Sequence, residues 1–226
     1  MTHPIRLLPL ALLLAIGCMP MDDIEPRQRS AQPPEVRFYR AKALDSGRPL
    51  RILVLPFRHG DDTTSRSVTA AFALEMEKDQ TFEVIAADSQ ERKVAERLNL
   101  WDGDCLDVHA LTALRRRCKI DAVALGHVLR YRPYDPPVLS VRVRAISTRT
   151  GAVLWGAEAA FDARDAGVQQ LMERFYDKQL AFARRGLGWQ LLLSSPRHYT
   201  QFVAHELVAT LRPAPTPTPV VASNAL

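Results

Sequence analysis

The chain has 226 residues, of which 47% are hydrophobic and 24% are charged, so it carries enough apolar sequence to bury one good core. Its formal net charge at pH 7 is +5, well short of the dense basic stripe that nucleic-acid-binding modules present. Composition therefore favours one domain, or at most two small ones, and argues against nucleic acid as the partner. No cofactor is expected.

The first 17 residues predict a secretory signal peptide. Residues 1–6 carry a positive charge, residues 7–16 are almost wholly apolar, and the small residue Gly17 precedes Cys18, which is the three-part layout of such signals. The apolar run is shorter than the roughly 20 residues that span a bilayer. Two interpretations follow: Cys18 is a point of attachment, or the signal is cut elsewhere and Cys18 is a bystander.

The four residues Ala-Ile-Gly-Cys that end at Cys18 resemble the bacterial lipobox. In that motif a signal peptidase cuts before a cysteine whose thiol has been diacylated. The resemblance implies a mature lipoprotein that begins at a palmitate-bearing Cys18 and stays on a membrane, because a second acyl chain takes binding beyond the reversible regime. Met19 follows the cysteine, and by resemblance to enteric sorting this implies the outer membrane, with the chain facing the periplasm.

Two segments without a folding pattern flank a predicted single domain at residues 49–211. Residues 18–48 contain several prolines among charged and polar residues, and they lack the sustained hydrophobic period of a helix or strand. Residues 212–226 include the Pro/Thr-rich run "PAPTPTP", which cannot fold alone. We therefore expect a lipid-anchored flexible linker before the domain, holding it on average near 30 Å from the anchor, and a disordered tail after it.

The first half of the domain predicts two strands and three helices. Residues 51–57 ("RILVLPF") and 81–86 ("TFEVIA") are short aliphatic runs, typical of buried strands. Three helices are predicted at residues 65–78, 89–98 and 107–117. The evidence is either apolar residues spaced on one face of a helix or residues that commonly begin a helix.

The second half of the domain changes from a helical to an extended period and then back. Three strands are predicted at residues 121–131, 139–147 and 152–161. The turn "TRTG" joins the last two, and Gly151 is free to adopt the positive φ that such a turn requires. Two helices close the domain, one from residue 165 to a point before Gly186 and one over residues 195–211, the latter with a proline in its first turn.

The predicted element order is β-α-β-α-α-β-β-β-α-α. Right-handed crossovers would link the first strands in parallel, and the last three strands would form an antiparallel meander. The predicted fold class is therefore α/β, an α+β sandwich in which a mixed sheet of about five strands packs against helices.

Four stretches of the domain resemble one group of periplasmic domains. "ILVLPF", "FEVI", "DAVALGHV" and "STRTGAVLW" match the pattern of the CsgG, LpoB and TolB amino-terminal group over roughly residues 51–161. The resemblance implies a binding and assembly module rather than an enzyme, since members of the group include an export-channel subunit, synthase-activating lipoproteins and export accessory lipoproteins. The long amphipathic hairpins of the channel-forming members are not found in this sequence.

Known catalytic motifs are not found in the sequence. Two acidic clusters, one at Asp61 and Asp62 and one around Asp102, Asp104 and Asp107, are better explained as helix caps or helix-dipole partners than as catalytic or calcium-binding groups. His127 lies among aliphatic residues of a predicted strand and is interpreted as a core residue. His198 and His205 are seven residues apart and are interpreted as surface or core residues rather than metal ligands.

Cys105 and Cys118 would meet oxidising conditions in a periplasm, which favour a disulfide. The helix predicted at residues 107–117 would separate them by roughly 16 Å, whereas a disulfide needs Cα atoms within about 7 Å. Buried free thiols are therefore favoured over a disulfide.

Arginines alternate with apolar residues on two neighbouring predicted strands, and we call these four residues the strand arginines: Arg130, Arg132, Arg142 and Arg144. Within each strand the two arginines share a face. If the two faces coincide, four guanidinium groups form one basic patch. Two interpretations follow, a solvated face whose charges discourage aggregation and a docking surface for a carboxylate-rich protein or an anionic glycan.

The sequence thus predicts a non-catalytic outer-membrane lipoprotein, an accessory or scaffold of a cell-envelope assembly that acts in synthase activation or export through protein or glycan binding. Self-association is compatible with this hypothesis. The alternatives are a glycan-processing enzyme, which would need two carboxylates facing each other across a cleft, and an export-channel subunit.

Overall fold

The computed structural model describes residues 32–45, 48–78, 82–87, 92–94, 96, 108–134, 136–179 and 188–213. The signal peptide, the lipidation of Cys18 and most of the predicted tail lie outside these residues. So do Cys105 and Asp107, and with them the predictions about a disulfide and about the second acidic cluster.

The strands, in chain order, are β1 (Arg37–Arg40), β2 (Leu50–Val54), β3 (Phe82–Ala86), β4 (Ala122–Arg132), β5 (Val138–Ser147) and β6 (Val153–Asp162). The α-helices are α1 (Asp62–Glu77), α2 (Val108–Cys118), α3 (Ala166–Gln179), α4 (Leu191–Ser194) and α5 (Pro196–Val208). Short 3-10 helices cover Lys42–Asp45 and Ala209–Leu211.

The six strands form one mixed sheet in the order β1-β6-β5-β4-β2-β3. β2 pairs in parallel with both β3 and β4, whereas β4, β5, β6 and β1 pair antiparallel. The α/β fold class, the parallel crossovers and the antiparallel meander predicted from the sequence are confirmed. Gly151 has φ of 72°, as the predicted turn between β5 and β6 requires.

The sixth strand, β1, corrects two predictions. It lies within the segment predicted as a linker, and it brings the strand number from about five to six. Arg37–Arg40 pairs with β6 through a regular antiparallel register, and Arg40 is tied to the following 3-10 turn by an ion pair with Asp45, N to O 2.7 Å. The folded region therefore includes residues before the predicted boundary at 49.

The helix predictions succeed except at the ends. The helix predicted at residues 107–117 is α2, one residue further along the chain, and the helix predicted at 195–211 is α5 followed by a 3-10 turn. Of the helix predicted at 89–98, the described residues 92–94 and 96 are helical. α4 is an additional short helix that the sequence pattern did not predict.

The larger core fills one face of the sheet, which we call the inner face. Inward side chains of β2, β4, β5 and β6 pack there against α1, α3 and α5. Trp155, Phe161 and Phe202 have 0% of their surface exposed, and the Phe161 and Phe202 rings meet edge to face with centroids 5.6 Å apart. This cluster contains most of the buried apolar surface, the dominant favourable term in folding.

A smaller core lies on the opposite face of the sheet, at one side. Leu111 and Leu114 of α2 pack there on Leu53, Val123 and Ile146 of β2, β4 and β5. Helical Val94 also packs against this cluster, which includes no residue of β1 or β6. Among the described residues, therefore, no helix covers the part of this face formed by β1, β6 and the adjoining parts of β4 and β5.

Alternation along the strand predicted at residues 152–161 would place Val153 on the same face as Trp155, and a bulge in β6 corrects this prediction. Ala145 faces Trp155 in the register, but the next residue, Ile146, faces Val153, so Leu154 is an extra residue. The bulge moves Val153 to the face opposite Trp155, where it is exposed. Trp155 shares the inner face with Ala157 and Phe161, as alternation predicts, and not with Val153.

We predict that Trp155→Ala lowers the free energy of unfolding by about 3–5 kcal/mol, since it leaves a large cavity in the core. The indole also donates a hydrogen bond to the Thr210 hydroxyl at 2.9 Å, so Thr210→Val serves as a control that removes this bond alone and should cost about 1 kcal/mol. Chemical denaturation measures both. A loss below about 1 kcal/mol for Trp155→Ala would contradict the position of the indole in the core.

Candidate functional site

The part of the sheet that no described helix covers carries mainly polar side chains, and we call it the open face. Register pairs place its members side by side across β1, β6, β5 and β4. It comprises Arg37, Tyr39, Gly156, Glu158, Ser140, Arg142, Arg144 and Arg130.

All four strand arginines lie on this side of the sheet. Ser140, Arg142 and Arg144 alternate on one face of β5, and Arg130 is the register partner of Ser140. Between Val128 and Arg130 the register of β4 shifts, and this bulge turns Arg130 and Arg132 to the same side as the β5 arginines. The arginine-bearing faces of β4 and β5 therefore coincide, which was the condition for a single basic patch.

The strand arginines differ in how they are held. Arg142 is half-exposed and its Nε donates to Glu158 at 2.6 Å, whereas Arg132 lies at the end of β4 and donates to the carbonyl of Pro136 at 3.0 Å. Arg144 is half-buried and Arg130 is exposed. Neither Arg144 nor Arg130 forms an ion pair with a described residue.

Glu158 is the acidic residue at the centre of the open face. The hydrogen bond from Arg142 lowers the pKa of Glu158, and the positive charges of Arg142 and Arg37 act in the same direction, together outweighing the opposing effect of burial. The carboxylate therefore stays ionised near neutral pH. Its charge fixes the position of Arg142 and neutralises part of the patch, and the surface remains net positive.

Two exposed aromatic residues border the patch at the edge of the sheet. β1 is an edge strand, and 59% of Phe38 and 57% of Tyr39 are exposed. With Arg142, Arg144 and Glu158 they line a shallow depression of about 280 Å³. Aromatic and arginine side chains are the types enriched at the centres of protein interfaces.

Asp61, in the first of the two acidic clusters, has a structural role. Asp61 is the N-cap of α1, as predicted, and its carboxylate accepts from the amide of Thr64 at 2.7 Å. That hydrogen bond lowers the pKa of Asp61. Among the described residues no group of three or more histidine, cysteine, aspartate or glutamate side chains could hold a metal ion.

Glu75 of α1 is a buried carboxylate, with 2% of its surface exposed. It accepts hydrogen bonds from His205 at 3.1 Å, Gln201 at 3.2 Å and Lys78 at 2.5 Å. Burial raises the pKa of Glu75, but the hydrogen bonds from His205, Lys78 and Gln201 lower it further than burial raises it. These donors come from α5 and from the C-cap of α1, so Glu75 joins two helices of the inner face.

The three histidines occupy separate environments. His205 binds Glu75 and lies against the ring of Phe175, whereas the ring of His198 bonds the hydroxyl of Ser195, the N-cap of α5. His127 is half-buried and faces Arg142 in the register, which corrects its interpretation as a core residue. The alternation of β4 places it on the partly covered side of the sheet.

Sequence reasoning missed the contribution of β1 and Glu158 to the open face. The alternating segment "VRFYR" carries a signal for a short strand, but two prolines before it favoured a linker. Glu158 could have been found as the cross-strand partner of Arg142, because opposite charges commonly face each other on neighbouring strands.

Neither a protein-family profile nor a curated protein sequence matches the chain. Similar solved structures include a dodecamer of PelC from Paraburkholderia phytofirmans (15% identity, 79% of this chain and 99% of that chain, TM-score 0.48). They also include the lipoprotein GNA1162 from Neisseria meningitidis (20% identity, 59% of this chain and 99% of that chain, TM-score 0.39). A third is LpoB from Escherichia coli (16% identity, 72% of this chain and 90% of that chain, TM-score 0.37).

LpoB, which belongs to the group that the sequence resembles, is thus among the similar solved structures. All three TM-scores lie below 0.5, and the matches carry no functional conclusion. Within the described residues, no helix is long and apolar enough to cross a membrane.

We predict that Glu75 makes the stability of the domain depend on pH in the acid range. Because its folded-state pKa is lowered from 4.5, its contribution is fully present above that unfolded value and is lost as pH falls through the folded pKa. Glu75→Gln should therefore destabilise the domain near pH 7 and flatten the fall in stability below about pH 4.5. Urea denaturation across this range measures the effect.

The matched control is Glu77→Gln, an exposed residue of the same helix, which should leave both the stability and its pH profile almost unchanged. An unaltered acid profile in Glu75→Gln would show that the buried carboxylate contributes no pH-dependent stability.

Proposed function

We propose that this chain is a lipid-anchored, non-catalytic accessory protein of a bacterial cell envelope, facing the periplasm from the outer membrane. In this proposal its domain docks a protein partner on the open face of the sheet, and the partner presents carboxylates to the arginines. The bound partner is an envelope assembly engaged in synthesis or export.

The open face is the observation that carries the proposal. A sheet that lacks a helix cover on one side normally presents mixed polar residues to water. Here that side combines Arg130 and Arg144, which form no ion pair with a described residue, with the exposed aromatic ring of Tyr39 on the adjacent edge strand. Arginine binds carboxylates through a planar, bidentate fork, so a carboxylate-bearing protein surface fits this combination.

The nature of these groups supports binding rather than catalysis. General acid–base or nucleophilic chemistry needs a base or nucleophile positioned at a reacting atom, and a glycosidase needs two facing carboxylates. On the open face Glu158 is paired with Arg142 and the depression is shallow. Arginine and tyrosine side chains at such a surface orient a partner and leave it chemically unchanged.

The amino-terminal sequence supports the anchored location. A lipid on Cys18 followed by a short unstructured segment would hold the domain close to one membrane while letting it rotate. A tether of this kind raises the effective concentration of the domain for partners near the same membrane. Affinity of the open face itself therefore need not be high.

We predict that the mature chain begins at a lipidated Cys18 and that Cys18→Ala moves it from the membrane fraction to the soluble fraction. Removing the acyl chains removes about 0.8 kcal/mol of membrane binding for each buried methylene. Intact-mass measurement of the purified chain and cell fractionation test this together. An unmodified amino terminus at another residue would refute the anchor while leaving the docking proposal open.

We also predict that Arg142→Gln combined with Arg144→Gln weakens partner binding and leaves the fold intact. Exposed ion pairs contribute about 0–1 kcal/mol to stability, so the melting temperature should change little. Binding of the envelope partner should weaken and lose part of its salt dependence, since the removed attraction is one that salt screens over roughly 8–10 Å. Pull-down at two salt concentrations, beside a melting curve, provides both measurements.

The matched control is Arg174→Gln combined with Arg197→Gln, two exposed arginines on the helices of the inner face. This control removes the same charge and should retain partner binding. Equal loss in both double variants would show only a general charge effect, and unaltered binding in the open-face variant would leave its arginines as solvated surface. Either result contradicts the docking role. Binding to glycan but not to protein would contradict the partner class.

A further inference from the structure

A second cationic site lies away from the open face, at the end of the sheet where β2 and β4 begin. It is a cavity of about 490 Å³ between the carboxyl end of α2 and the loop before β2, within the size range of small-ligand pockets. The polar side chains that line it are Arg48, Arg115, Arg116, Lys119, Thr112 and Asp121.

The charge of this cavity is poorly compensated. Four cationic side chains and one carboxylate line it, which leaves a net charge of +3. Arg48 reaches Asp121 at 3.9 Å, the upper limit of an ion pair, and Arg115, Arg116 and Lys119 form no ion pair with a described residue. Uncompensated cations that converge on one cavity repel each other, and an anion between them relieves this repulsion.

The helix dipole favours cations in this last turn, but hydrogen bonds to the final carbonyls do not account for the position of these side chains. Basic residues in the last turn of a helix often hydrogen-bond its final carbonyls. In this chain Arg51 makes such a contact, donating to the carbonyl of Lys119 at 2.8 Å, and the arginines that line the cavity make none with the described residues. They lie beside the helix end with their donors available.

The backbone at Lys119 has an unusual conformation for a lysine. Lys119 follows the last residue of α2 and has φ of 53°, in the left-handed region where glycine or asparagine is the usual residue. A lysine costs stability there. The position thus keeps a cationic side chain at the mouth of the cavity where the backbone alone would favour glycine.

We propose that this cavity binds a phosphate group. A carboxylate carries one negative charge, which one arginine can satisfy, whereas a phosphate monoester carries roughly 1.5 to 2 charges and three acceptor oxygens, a closer match to several converging cations. Arginine recognises phosphate through two parallel hydrogen bonds and lysine as a point charge, and the Thr112 hydroxyl offers a neutral donor. The phosphate is carried either by a lipid headgroup or by a soluble molecule.

The test uses the full chain with Cys18→Ala, so that a lipid anchor does not itself bind membranes. Inorganic phosphate is titrated by calorimetry against sodium chloride at matched ionic strength. In a second arm, the chain is sedimented with phosphatidylcholine vesicles that contain or lack phosphatidic acid. Response to inorganic phosphate alone assigns a soluble ligand, and vesicle binding that free phosphate displaces assigns a lipid headgroup; both support the proposal.

Arg115→Gln combined with Arg116→Gln should weaken phosphate binding about tenfold or more, the effect of losing charge-assisted hydrogen bonds. The open-face variant with Arg142→Gln and Arg144→Gln loses the same charge and should bind phosphate as the parent does. Lys119→Gly separates binding from folding: it should preserve or raise the melting temperature, because glycine suits the backbone, and it should weaken phosphate binding.

Three results would overturn the proposal. The first is no difference between phosphate and chloride together with no binding to phosphatidic acid vesicles. The second is equal weakening in the two arginine variants, which would indicate attraction by net charge alone. The third is undiminished phosphate binding in both the Arg115/Arg116 and the Lys119→Gly variants.

Discussion

Burial of one sheet face beneath three helices is the interaction on which the rest of the structure depends. Trp155 and Val143 are fully buried there against α1, α3 and α5, and the loss of apolar surface from water is the largest favourable term in folding. Side chains alternate along a strand, so the same burial turns Arg142, Arg144 and Glu158 to the opposite face. The composition of the open face is thus a direct consequence of the core.

Two bulges adjust this alternation and decide which residues meet. The bulge in β4 turns Arg130 toward the β5 arginines, and the bulge in β6 moves Val153 away from Trp155. Each inserts one residue and so exchanges the two faces beyond it. The single patch of arginines therefore depends on one extra residue in β4. The phosphate cavity depends on a different feature, the end of α2, so the two cationic surfaces can be altered independently.

Strong periodic patterns explain what the sequence could predict. The apolar residues around Trp155 specify the meander, and the alternation in "LSVRVRAIS" placed Arg142 and Arg144 on the outer face correctly. The sequence could not predict β1, because a four-residue edge strand has little pattern of its own and is stabilised by pairing with β6. The sequence also could not predict the two bulges or the backbone conformation at Lys119, since these follow from tertiary packing rather than from residue spacing.

Site-specific cross-linking in living cells tests the central claim, the docking of a protein on the open face, most directly. A photoreactive phenylalanine analogue replaces Tyr39 on the open face or, as a control, Arg174 on α3, in the intact lipoprotein. The account predicts a discrete protein adduct from position 39 that disappears when Arg144→Glu reverses the neighbouring charge, and no such adduct from position 174. Equal adducts at both positions, or an adduct at position 39 that is insensitive to the charge reversal, would contradict it.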